Sequence, residues 1–137
     1  MRRVVHWLPV IAYMALIFHF SSEPNPMPEV TERVWDKILH FVEYGGLAVL
    51  LFRAFSSEGL GWLAAAAFAL LTTSAYGASD EWHQSFVVSR TSDVRDWIAD
   101  TIGATLAIAV YALLRFATSR SSPTRGGPGM LERFRVP

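Results

Sequence analysis

Four blocks of the chain, residues 4–20, 38–55, 60–78 and 94–116, are dominated by apolar side chains and are each about as long as a bilayer is thick. Crossing the hydrocarbon core takes about 20 such residues, and a backbone in lipid must satisfy its own hydrogen bonds, which helices do. The expected fold is all-α: a four-transmembrane-helix bundle over residues 1–116, followed by a disordered tail over 117–137. The tail holds Ser, Gly, Pro and Arg and has little to bury. Apolar residues make up 52% of the chain, which sets an ordinary soluble domain aside. The absence of cysteine excludes disulfides and thiolate metal sites. A formal net charge of zero gives no global attraction to nucleic acid.

The first block follows Arg2 and Arg3 and resembles a secretory signal, but Phe18, His19 and Phe20 stand where a signal peptidase needs small side chains, so it reads as an uncleaved anchor. Pro9 falls early in it, where a missing N–H costs little or a kink forms. The prolines at 26 and 28 break helix before a lead-in from Glu29, and Trp35 is placed as an interfacial anchor. Gly45-Gly46 gives the second span a thin patch for a neighbouring helix. The short polar segment 56–59 makes the second and third spans an antiparallel hairpin. Basic residues concentrate at the N-terminus, at Arg53 and in the tail, while the first and third loops hold more acids than bases. The positive-inside rule then puts both termini in the cytoplasm and the first and third loops outside.

The polar residues of the outward side have helical spacing. His40 and Glu43 are three apart, with Tyr44 one turn on from His40. Asp80, His83 and Gln84 share a face if the third helix continues past Ala78. Asp93, Asp96 and Asp100 form a stripe on the fourth helix. Three stripes at one depth on three helices should converge inside the bundle, since a charge near the bilayer centre costs about 3 kcal/mol or more and must be paired or hydrated. From Asp36 to Asp100 the outward side carries seven acids, Asp36, Glu43, Asp80, Glu81, Asp93, Asp96 and Asp100, against Lys37, Arg90 and Arg95. An excess of four negative charges in a partly desolvated pocket calls for protonated carboxyls, charged His40 and His83, a bound cation, or acids spread into water. For Asp36 and Glu81 the last is the expectation.

The motifs Phe20-Ser21-Ser22-x-Pro24, Asp36-Lys37-x-x-His40-Phe41-x-x-Tyr44 and Asp80-Glu81-x-x-Gln84-x-Phe86, then Arg90 and Asp96-x-x-x-Asp100-x-x-Gly103, together resemble the VanZ-like family. The resemblance implies a small bacterial integral protein of the inner membrane and cell envelope. It also implies a link to antibiotic resistance, of the low-level kind to the glycopeptide teicoplanin known for the family's namesake. Two positions depart from the pattern: Val88-Ser89 replaces the usual Pro-Gly before the arginine, and Asp100 replaces the usual Asn, which makes the pocket more acidic.

The candidate chemical groups are His40, Glu43, Asp80, His83 and Asp96, with the histidines as general base or acid. Lys37, Tyr44, Gln84, Arg90 and Asp100 are candidate binding groups. Arg90 is suited to a phosphate or carboxylate, or else to a salt bridge with Asp93, Asp96 or Asp100. The ligand types also suit a divalent metal such as zinc or manganese, although no tight metal motif is present. Two functions stay open. One is a site that binds or modifies a membrane lipid, a lipid-linked cell-wall precursor or another anionic envelope ligand. The other is a non-enzymatic membrane protein whose polar cluster holds the bundle together and which acts by interaction.

Overall fold

The computed structural model describes residues 2–24 and 35–120. The loop at 25–28, the lead-in from Glu29 to the start of the second helix, the side chains of Trp35 and Asp36, and residues 121–137 of the tail lie outside the described residues, while the first four residues expected in the disordered tail, 117–120, are helical instead. Four helices form an all-α bundle: α1 (Arg2–Ser22), α2 (Trp35–Ser57), α3 (Trp62–Gln84) and α4 (Val94–Arg120). By length and composition α1, α2 and α4 are apolar enough to cross a membrane. The 23-residue α3 is as long as α2, and Thr72, Thr73, Ser74 and its acidic end dilute its apolar character. The helix does continue past Ala78, and it ends at Gln84. Pro9 sits inside α1 without ending it.

Burial explains the order of packing. The core is Val10 and Ile17 of α1, a run from Tyr44 to Ala54 of α2, Ala65 and Ala69 of α3, and Ala104 and Ile108 of α4. α2 supplies half of it, through Tyr44, Leu47, Ala48, Leu51, Phe52 and Ala54, at three- and four-residue spacing on one side of the helix. It is the central helix, packed on α1, α3 and α4, and among the described residues α1 touches α2 and α3 but not α4. Outward-facing Val4, Leu63, Leu71, Leu113 and similar residues stay exposed, as expected where lipid rather than water is the solvent.

Glycine sets the closest approach. A Cβ on Gly103 would overlap the Phe41 carbonyl, and one on Gly45 would press on the Gly103 carbonyl and on Ala107. The α2–α4 contact is thus backbone against backbone, through the thin patch that Gly45 provides, while Gly46 accommodates the Tyr13 ring of α1. Side-chain contacts fix the direction of each helix. Ser22 at the end of α1 meets His83 near the end of α3, and Lys37 at the start of α2 meets Asp96 at the start of α4. At the other end Trp7 donates to Glu58 and Trp62 packs on Phe116. Neighbours in sequence are therefore antiparallel, and the polar residues collect at one end. α2 and α3 turn back at Glu58-Gly59, where Gly59 takes φ +88°.

Candidate functional site

Four acids are buried at that end: Asp80 at 5%, Glu81 at 6%, Asp96 at 4% and Asp100 at 0% exposure. They come from α3 and α4 and close around His40 of α2. The Nδ1 of His40 lies 3.0 Å from Oδ1 of Asp100. With Asp100 ionised, the carboxylate only accepts and Nδ1 carries that proton. The His40 ring stacks parallel to Tyr44, with centroids 6.0 Å apart. Lys37 donates from Nζ to Oδ1 of Asp96 at 2.6 Å, and more weakly to Asp93 at 3.4 Å. Gln84 donates to Oδ2 of Asp80 across one turn at 3.0 Å.

Each of Asp80, Glu81 and Asp100 leaves one buried oxygen without a hydrogen bond, and the Tyr44 hydroxyl is buried without one too. That hydroxyl lies near the Asp80 carboxyl but outside hydrogen-bond geometry. A buried polar atom left unpaired costs about 1–3 kcal/mol. Several in one place are groups that water, an ion or a ligand has to satisfy.

A cavity of about 500 Å³ opens between α1, α2 and α3. The exposed Phe20, Leu39 and Val42 give it an apolar rim, the buried Ile17 lines it, and His40, Glu43, Asp80, Gln84 and Arg90 give it a polar floor. Phe20, Leu39 and Val42 are exposed on the apolar flank of the bundle, so the opening faces sideways as well as along the helix axes.

The three sequence stripes converge in part. His40, Tyr44, Asp80, Gln84, Asp96 and Asp100 come together and are buried, with Glu43 half-buried at the cavity and Lys37 half-buried above Asp96. His83 turns aside. Its Nε2 is 3.0 Å from Ser22 Oγ, whose own proton goes to the Phe18 carbonyl, and its ring rests on Phe18. Asp93 is the cap of α4 rather than part of the cluster. Its Oδ1 accepts the Arg95 N–H at 2.8 Å, and this bond, with Lys37 adding to it, holds its carboxyl below the usual aspartate range. Arg90 makes none of the three salt bridges open to it. Its Nε and Nη2 donate to the carbonyls of Glu23 and Phe20, tying the α3–α4 loop to the end of α1.

Glu81 corrects the expectation that it would spread into water. It is buried, Oε2 accepts the Asp93 N–H at 2.8 Å, and Oε1 is unpaired. The signal lies in the sequence: Ala65, Ala69, Thr73 and Gly77 form a buried stripe at four-residue spacing, and Glu81 is its next member.

The VanZ/LLP1 family model matches residues 3–115, which covers α2 and α3, most of α1 and α4, and every residue of the site. The chain belongs to the VanZ/LLP1 family. Comparison with curated proteins and with solved structures finds no match. This VanZ/LLP1 chain is a membrane protein by its family and by its apolar helices. Its departures from the VanZ-like pattern acquire a physical meaning. Ser89, where glycine is usual, has φ +65°, a conformation glycine adopts freely and serine does not. Asp100, where asparagine is usual, holds His40 through one oxygen and leaves the other buried against Gly77.

Proposed function

We propose that this VanZ/LLP1 protein binds a lipid or lipid-linked cell-envelope molecule in the cavity between α1, α2 and α3, from the outer face of the bacterial inner membrane and with both termini cytoplasmic. The observation that carries the reading is the pairing of a rim open toward the bilayer, Phe20, Leu39 and Val42, with a floor of His40, Glu43, Asp80 and Arg90. An acyl or isoprenyl chain lies against the rim while the headgroup reaches the floor. Arg90 uses two of its five N–H donors on backbone carbonyls, and the others suit a phosphate. Glu43 and Asp80 accept from hydroxyl or amine groups. The matching ligand therefore carries both a phosphate and such donors, as a lipid-linked amino sugar of cell-wall synthesis does. Teicoplanin-type susceptibility would change as a downstream effect of holding that molecule.

The test is photo-crosslinking in nanodiscs with a diazirine-tailed polyisoprenyl-phosphate amino sugar, against diazirine phosphatidylglycerol as the plain anionic lipid. Crosslinks should map to α1 and α2 near Phe20, Leu39 and Val42 and favour the amino-sugar lipid. Glu43→Gln and Asp80→Asn should remove that preference while the protein still reaches the membrane at normal level. Equal labelling by both lipids, unchanged in the variants, would overturn the reading. The grip of Arg90 on the end of α1 favours a second reading, in which the polar end locks the bundle and the protein acts by interaction. Loss of folding rather than of ligand preference in the same variants would select it.

A further inference from the structure

His40 also lies close to Glu81 of α3 and Asp96 of α4, neither of which lines the cavity. One ligand-type atom from each of these three buried residues lies within 4.8 Å of the other two. We infer that His40, Glu81 and Asp96 form a binding site for a divalent metal ion of zinc or manganese type.

The geometry is close to that of a formed site. Ligand atoms about 2.1 Å from a shared ion stand about 3–4 Å apart, so small side-chain rotations close the set. One imidazole and two carboxylates suit zinc or manganese better than magnesium or calcium, which take oxygen alone. A second observation points the same way. Glu81 is 6% exposed and its Oε1 has no hydrogen-bond partner, although its other oxygen is fixed by the Asp93 N–H. The surroundings also have the layout of a metal centre. Asp100 holds Nδ1 of His40, the carboxylate–histidine arrangement that orients a ligand imidazole. Lys37 occupies one oxygen of Asp96 and leaves the other for the ion. With Asp80, Glu81, Asp96 and Asp100 ionised, Lys37 charged and His40 neutral, three negative charges are left among these groups, and a dication offsets two of them. Without it protons must take its place in a buried site.

The inference stands apart from the lipid reading, because its readout is bound metal. Full-length protein in nanodiscs, stripped with chelator and re-equilibrated with zinc or manganese in separate samples, is measured for metal by mass spectrometry and for Tm. The expectation is one ion per chain and a higher Tm with one of the two metals. Glu81→Gln keeps an acceptor for the Asp93 N–H, so it should fold, yet lose affinity by more than about 100-fold, beyond what removal of an outer-shell partner does. His40→Ala should lose binding as well, whereas Glu58→Gln at the far end of the bundle should retain it. Substoichiometric metal in the wild type, or binding that survives in Glu81→Gln, would overturn the site.

Discussion

The carbonyl oxygen of Phe41 occupies the space into which any side chain on Gly103 would project. The central helix and α4 therefore meet backbone to backbone just below the polar end, and this contact holds His40 within reach of Asp100. Gly103→Ala must push the two helices apart, and overpacking of this kind costs about 1–3 kcal/mol. Thermal unfolding in detergent should show a lower Tm for Gly103→Ala. Gly61→Ser, which has open space around it and puts a favoured N-cap residue at the start of α3, should not lower the Tm. Equal Tm values for the two would show that the helices are not in this register.

Ser89 gives a prediction of the opposite sign. Its φ of +65° costs a side-chain-bearing residue about 1–2 kcal/mol. Ser89→Gly should raise stability by about 1 kcal/mol, the larger freedom of glycine in the unfolded chain taking back part of the gain. The measurement is the denaturant midpoint in mixed micelles, and a lowered midpoint would contradict the assignment.

Much of this was open to reading in the sequence, and what was not has a common cause. Helix number, the antiparallel order and the polar end follow from block length and from the 3.6-residue period, which are local properties. The His40–Tyr44 and Asp80–Gln84 faces are local too. The directions of Glu81 and His83 depend on which neighbouring helix stands where. α4 lies against one side of α3 and α1 against the other, and that arrangement draws Glu81 inward and gives His83 to Ser22. Arg90 escapes for the same reason, because its acceptors are carbonyls 67 and 70 residues away in the chain.

Arg90→Lys separates anchoring from charge. Lysine keeps the positive charge but cannot hold two carbonyls with a planar fork. Losing two such bonds should destabilise the protein by about 1–2 kcal/mol, with the loop between α3 and α4 opening first. Hydrogen exchange should show faster exchange at 85–92 and at the end of α1, with the α2–α4 contact unchanged. Uniform change along the chain would mean that Arg90 has another role.

Asp93 makes stability depend on pH in a stated direction. Its carboxyl is held below its ordinary value of 3.8 by the Arg95 N–H, with help from Lys37. A lowered folded-state value means that the contribution is complete above the ordinary value and is lost as pH falls through the folded one. Asp93→Ala should cost about 1 kcal/mol at neutral pH, the usual worth of a helix N-cap. The gap between wild type and variant should shrink below pH about 4. A gap that stays constant from pH 7 to pH 3 would show that the carboxylate charge contributes nothing.

Orientation can be settled with single cysteines, because the chain has none of its own. Ser85, just past α3, is exposed at the polar end, and Glu58, in the turn after α2, marks the opposite end. Arg53 near that turn and the basic N-terminus weigh toward the cytoplasm under the positive-inside rule, so the polar end should face out. In intact cells an impermeant maleimide should label Ser85→Cys, and Glu58→Cys only after permeabilisation. The reverse pattern would place the cavity and the His40 cluster on the cytoplasmic side. The same residues would then meet cytoplasmic lipid headgroups, and a lipid-linked precursor would have to be bound before its export rather than after it.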